Sequence, residues 1–233
     1  VIPNFLNMGE RTMCGRFTLL ADAKEIKEAF NISHPLENYK PSYNIAPGQQ
    51  VLAIIHDGNE KRAGYLRWGL VPSWAKDEKI GYKMINARSE TAHEKPSFKH
   101  LMAQKRCLIV ADSFYEWKQN SKNKVPHRIQ LKNRRLFVFA GLWDKWIQGE
   151  TTLFTCTLLT KQANRFMKDI HHRMPIILPK DKENEWIQPE KWHPYEAKQF
   201  LDRIQDEEFS TYPVSTYVNK ASNNDMKCIE SIV

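Results

Sequence analysis

Met13 is followed at once by Cys14, Gly15, Arg16 and Phe17, and a cysteine so placed can acquire chemistry that no internal cysteine has. If translation begins at Met13 and that methionine is removed, Cys14 carries a free α-amine on the carbon next to the one bearing its thiol. A neutral α-amine condenses with an aldehyde to an imine, and the neighbouring thiol then closes a five-membered thiazolidine. Both heteroatoms must come from one residue, which only an N-terminal cysteine provides. With reference values of about 7.7–8.0 for the amine and about 8.5 for the thiol, roughly a quarter to a third of the amine is neutral near pH 7.5.

Other segments carry polar groups where simple core packing does not ask for them. In FYEW, strand alternation puts Tyr115 and Trp117 on one side and Phe114 and Glu116 on the other. Glu116 therefore shares a face with an aromatic ring, and such surroundings raise a carboxyl pKa toward the range useful for proton transfer. The plainer alternative is a solvent-facing glutamate on an edge strand. His171 and His172 precede Arg173-Met174-Pro175 at an expected helix-to-strand junction, where a side chain can point into a cleft. Asn44-Ile45-Ala46-Pro47-Gly48 reads equally as a turn leading into the strand at Val51. Arg88 and Glu90 of INARSE could form an exposed helix start. Trp68, Trp74 and Trp117 are candidates for stacking on bases, since every base offers a π-face, or for structural burial.

These groups need elements to hold them. Residues 22–30 offer an aspartate N-cap, a glutamate three residues later and apolar Ile26, Ala29 and Phe30 on one face, a short helix. Residues 51–68, turning at Asp57-Gly58-Asn59, read as a hairpin. Residues 97–105, 162–170 and 196–205 have helical spacing. The runs CLIVADSFYEW, VPHRIQL, RLFVFAGLW, TTLFTCTLLT and MPIILP read as strands, mainly antiparallel. The expected fold is α+β: one domain with a mostly antiparallel, barrel-like β core and short peripheral helices.

Composition narrows the function classes. The 35 basic and 27 acidic residues give a net charge of +8, which favours polyanionic partners such as nucleic acid. No uninterrupted apolar run approaches the ~20 residues of a membrane-spanning helix. The first dozen residues lack the charged start, apolar centre and cleavage site of a secretory signal, so a cytoplasmic protein is expected. Cys14, Cys107, Cys156 and Cys228 lie far apart with no Cys-x-x-Cys, which suggests neither a zinc site nor a disulfide framework. Cys107 and Cys156 sit in apolar runs as small buried hydrophobes.

Taken in order, CGRF behind a methionine, NIAPG, RWGLVPSW, INARSE, FYEW and HHRMP resemble the SRAP family, the SOS-response-associated peptidases or abasic-site processing proteins, from Met13 to the YPVS segment at 212–215. The resemblance implies a single SRAP domain over residues 13–233 that crosslinks covalently to abasic sites in single-stranded DNA during the DNA damage response. It implies Cys14 as nucleophile, Asn86 as a positioning group, Glu116 as acid/base and His171 as a second proton-transfer group. His171 is chosen over His172 because family members often read HDRMP. Arg16, Arg88 and Arg173 are then expected to hold phosphates, with Asn44, Trp68, Trp74 and Trp117 at the DNA interface. The expected partner is single-stranded DNA containing abasic sites, met by a monomer with no metal, cofactor or membrane, and nucleoid-associated when bound. The family name also advertises the alternative, a cysteine peptidase acting on its own N-terminus or on other peptides.

Residues 1–12 stand in front of Met13 and would block the amine. Either self-cleavage removes them, or they are not translated; Met-Gly-Glu-Arg-Thr-Met at 8–13 can be encoded with a bacterial ribosome-binding sequence, which favours a start at Met13.

Overall fold

The alternating apolar runs pair with one another rather than with the helices. The structure, a computed structural model, describes residues 15–120 and 123–233. In chain order it contains β1 (Phe17–Leu19), α1 (Ala23–Phe30), β2 (Ser42–Ile45), β3 (Gln50–His56), β4 (Lys61–Trp68), β5 (Asn86–Arg88), α2 (Ser89–Ala92), α3 (Pro96–Gln104) and β6 (Arg106–Ala111). There follow β7 (Ser113–Asn120), β8 (Asn123–Leu131), β9 (Phe137–Gln148), β10 (Thr151–Gln162), α4 (Arg165–Lys168), β11 (Arg173–Pro175), α5 (Glu183–Trp186), α6 (Pro194–Asp202) and β12 (Phe209–Pro213).

Strands β4, β3, β6, β9 and β10 pair in that sequence, and a parallel pairing of β10 with β4 closes them into a barrel. A second, antiparallel sheet has the order β12-β8-β7-β1-β2. The barrel-like α+β expectation is therefore met. One core cluster joins the two sheets, with Phe17 and Phe114 from the second sheet against Phe139 and Trp68 from the barrel. Closure removes free edges from the barrel, which is how a strand-rich chain avoids edge-to-edge association.

Local chemistry explains most boundaries. Asp22 caps α1 by accepting from Glu25 N at 2.8 Å, and Ile26 and Phe30 bury the apolar face. The β3–β4 hairpin turns where Asp57 Oδ1 accepts from Asn59 and Glu60, with Gly58 at φ +104°. The run from Cys107 to Trp117 is not one strand but two, β6 in the barrel and β7 in the second sheet, broken at Asp112. Its carboxylate accepts from Thr18 Oγ1 and Leu20 N, so this polar residue changes sheets with its hydrogen bonds met.

Two expected elements shrink. The helix over 162–170 is reduced to α4, because Thr160–Gln162 stay in β10, paired with Arg173–Pro175 of β11. The strand at 174–179 keeps only β11 in the ladder, and beyond it Ile176 and Leu178 hydrogen-bond to β10 and β9 individually.

Candidate active site and nucleic-acid interface

The site is assembled at the rim shared by the two sheets. Phe17 pairs with Phe114, and Tyr115 N donates to Arg16 O at 2.9 Å, which carries the same register back toward Gly15 opposite Glu116. Cys14 lies outside the described residues, as do residues 1–12. Glu116 is 2% exposed. The solvent-facing alternative is thereby excluded, and the alternation holds: Phe114 joins the large core while Tyr115 and Trp117 join a smaller cluster on the opposite face. Directly across the ladder from Glu116 is His127, whose Nδ1 lies 3.0 Å from Val125 O.

Asn86 and His171 arrive through β10. Half-buried Asn86 opens β5, which runs parallel to β10 with Asn86 opposite Leu158, and His171 immediately precedes β11 on the other side of β10. His171 Nδ1 lies 3.1 Å from Arg173 N and 3.3 Å from Arg173 O, so the backbone of Arg173 holds this edge of the ring. Burial pushes the His171 pKa down, and the positive charges of His172, Lys124 and Arg173 push the same way against a backbone hydrogen bond. The imidazole is thus kept neutral and able to take a proton.

Several of the residues expected at the DNA interface are engaged within the fold. Trp68 is 1% exposed, donates from Nε1 to Ile85 O at 2.8 Å and stacks near Phe17, so it belongs to the core and has no face for a base. Arg173 is buried, grips Glu90 with both guanidinium ends at 2.5 and 2.9 Å and also reaches Thr160 O at 2.8 Å. Burial raises the Glu90 carboxyl, but the Arg173 bonds and charge outweigh it and hold the pKa below its usual range. Arg173 therefore ties β11 to α2.

Arg16 is likewise committed. Its guanidinium donates to Asn44 Oδ1 at 2.9 Å, Val218 O at 2.7 Å, Asn219 O at 3.3 Å and Gly15 O at 3.3 Å. Asn44, 1% exposed, donates to Val218 O, Lys220 O and Asn223 O at 3.2, 3.1 and 2.6 Å. Trp117 Nε1 donates to Asn219 Oδ1 at 2.8 Å. The NIAPG asparagine, the CGRF arginine and the FYEW tryptophan thus clasp one C-terminal segment, residues 218–223, which none of the sequence motifs marks. Its Asn-rich stretch, VNKASNND, was the available signal.

The groups that remain open are Trp74, 59% exposed on the loop after β4, and Arg88, exposed beside Asn86. That loop is set by Gly69 at φ +128°, where a Cβ would fall 2.7 Å from Gly81 O. Cys107, Cys156 and Cys228 are free and buried, and burial raises each thiol pKa, which suits them to packing rather than attack.

The fold is a closed β-barrel packed against a second antiparallel sheet, with a buried acid, Glu116, in the strand that pairs with β1. The sequence profile described as SOS response associated peptidase (SRAP) matches residues 13–221, and the chain belongs to that family. It is 52% identical over 223 residues to abasic site processing protein YoqW of Bacillus subtilis (strain 168), covering 94% of this chain and 100% of that one. It is 34% identical over 229 residues to abasic site processing protein HMCES of Xenopus tropicalis, covering 84% and 68%. A crystal structure of a Bacteroides thetaiotaomicron protein superposes with a TM-score of 0.85 at 24% identity, over 94% of this chain and 100% of that one.

Proposed function

We propose that this protein processes abasic sites in single-stranded DNA by covalent capture through Cys14. The observation that carries the reading is the β1–β7 register, which brings the residue bonded to Cys14 opposite buried Glu116. The relatives named abasic site processing proteins supply the substrate class.

An abasic deoxyribose opens to an aldehyde. The freed Cys14 amine adds to it, the carbinolamine loses water to give an imine, and the thiol adds across the C=N bond to close a thiazolidine. One water is released. Glu116 donates a proton to the ring oxygen as the sugar opens, His171, its pKa lowered by burial, moves protons as water departs, and Asn86 orients the amine. Trp74 offers a stacking face and Arg88 a charge for the strand. The same acid and histidine would serve removal of residues 1–13 if the chain processes its own N-terminus, the reaction the family description names.

Intact mass spectrometry of protein beginning at Cys14, mixed with single-stranded DNA carrying one abasic site, should show the sum of the two masses less one water. No adduct, or an adduct that survives Cys14→Ala, overturns the reading.

A further inference from the structure

Outside the acid–amide–histidine group the surface holds an open cleft of about 520 Å³ lined by Arg88, Gln162, Lys168, His172 and Arg173. Four of its five walls are basic residues, but they are not equivalent. Arg173 is held by Glu90 and Thr160. Among the described residues, the Arg88, Lys168 and His172 side chains have no hydrogen-bond or ion-pair partner; His172 touches only the His171 ring, with centroids 4.3 Å apart. All three are exposed. Other basic side chains nearby are neutralised by acids, as Lys161 is by Asp206. The unpaired Arg88 and Lys168 charges on one cleft leave a positive potential that an anion would lower, and His172 adds a ring N–H donor.

The cleft is also placed for the strand that the site would hold. Asn86 and Arg88 are two apart on β5, hence on one face and about 6.6 Å along the strand, with buried Ala87 facing the other way. His172 follows His171 directly, and Lys168 ends α4 just before them. We infer that Lys168 and His172 form, facing Arg88, a subsite for the backbone phosphate of single-stranded DNA next to the reacting sugar. Two features favour a diester in a passing strand over a small free anion: the cleft is open, and its donors are long side chains rather than converging backbone N–H groups. The inference rests on the proposed DNA substrate, so its test uses undamaged DNA and no adduct readout.

Binding of a 20-nucleotide oligothymidylate is followed by fluorescence anisotropy across a salt series for the parent, Lys168→Ala, His172→Ala and the double variant. The subsite holds one phosphate, so its loss in the double variant should reduce the slope of log K against log salt by about 0.7, with smaller reductions in the single variants. Lys168→Glu should bind more weakly than Lys168→Ala. All sites are exposed, and unchanged thermal unfolding confirms that folding is not the cause. Slopes and affinities equal to the parent would overturn the subsite while leaving covalent capture at Cys14 untouched. A second arm titrates inorganic phosphate at constant ionic strength. Displacement of the oligonucleotide by micromolar phosphate from the parent, but not from the double variant, would assign the cleft to a free anion and overturn the strand phosphate.

Discussion

Arg16→Ala separates two roles that the sequence could not tell apart. As a strut, Arg16 makes two well-formed charge-assisted hydrogen bonds, to Val218 O at 2.7 Å and Asn44 Oδ1 at 2.9 Å, and two longer ones at 3.3 Å. Hydrogen bonds to a charged group are worth about 1.5–3 kcal/mol each, which would suggest up to about 6 kcal/mol for the pair. Two effects reduce this. Val218 O keeps a second donor in Asn44 Nδ2, so it is not orphaned, and burial already lowers the Arg16 pKa, showing that its charge carries a desolvation penalty that the substitution relieves. A net loss of about 2 kcal/mol follows, or a fall in Tm of about 4–8 °C for a chain of this size. Arg16→Lys keeps the charge but not the fork, so it should recover less than half of the loss. The assays are thermal unfolding and the salt dependence of oligothymidylate binding. Unaltered Tm together with a salt slope reduced by about 0.7 would show a phosphate ligand and refute the strut.

Protein that retains residues 1–13 through a non-cleavable fusion should give no adduct with abasic single-stranded DNA, because the Cys14 nitrogen is then an amide; equal adduct yield would place the reactive amine elsewhere, on a lysine. Glu116→Gln and His171→Ala should slow adduct formation by about 10²–10⁴-fold with oligonucleotide binding retained, measured by quenched time courses on denaturing gels. Because the folded His171 pKa is depressed, the unfolded chain binds the extra proton first; its contribution to stability is full above the ordinary value of about 6.5 and is lost as pH falls toward the folded pKa, and the parent's rate should persist to lower pH than an unperturbed histidine permits. Trp74→Ala should weaken oligonucleotide binding by about 1–3 kcal/mol with normal stability, whereas Trp68→Ala should cost about 3–5 kcal/mol of stability, and the reverse pattern would exchange their roles.

Much of the fold was legible because strand and turn signals are local. The Asp22 cap, the Asp57-Gly58-Asn59 turn and the alternation of Phe114, Tyr115, Glu116 and Trp117 are all decided within a few residues, and each forms as expected. The split at Asp112 and the shortening of α4 were not, since both depend on partners distant in sequence: Thr18 and Leu20 for the first, β11 for the second. The same distinction holds at the site. The types and order of Asn86, Glu116 and His171 can be read along the chain, but whether an arginine is free is a tertiary fact. Arg16, Arg88 and Arg173 look alike in a motif, yet one clasps carbonyls, one is open and one is locked to Glu90.

The clasp on residues 218–223 imposes an order on the protein's making. Arg16 and its carbonyl acceptor Val218 are 202 residues apart. At a synthesis rate of about 5–20 residues per second, the segment that anchors Arg16 is made roughly 10–40 s after it. β7, which pairs with β1, is made about halfway through that interval and the anchor only at its end, so an amine and thiol at Cys14 would exist before the pocket that directs them. The Cys14 nucleophile proposed above would thus be left unseated until residues 218–223, which hold Arg16, have been made.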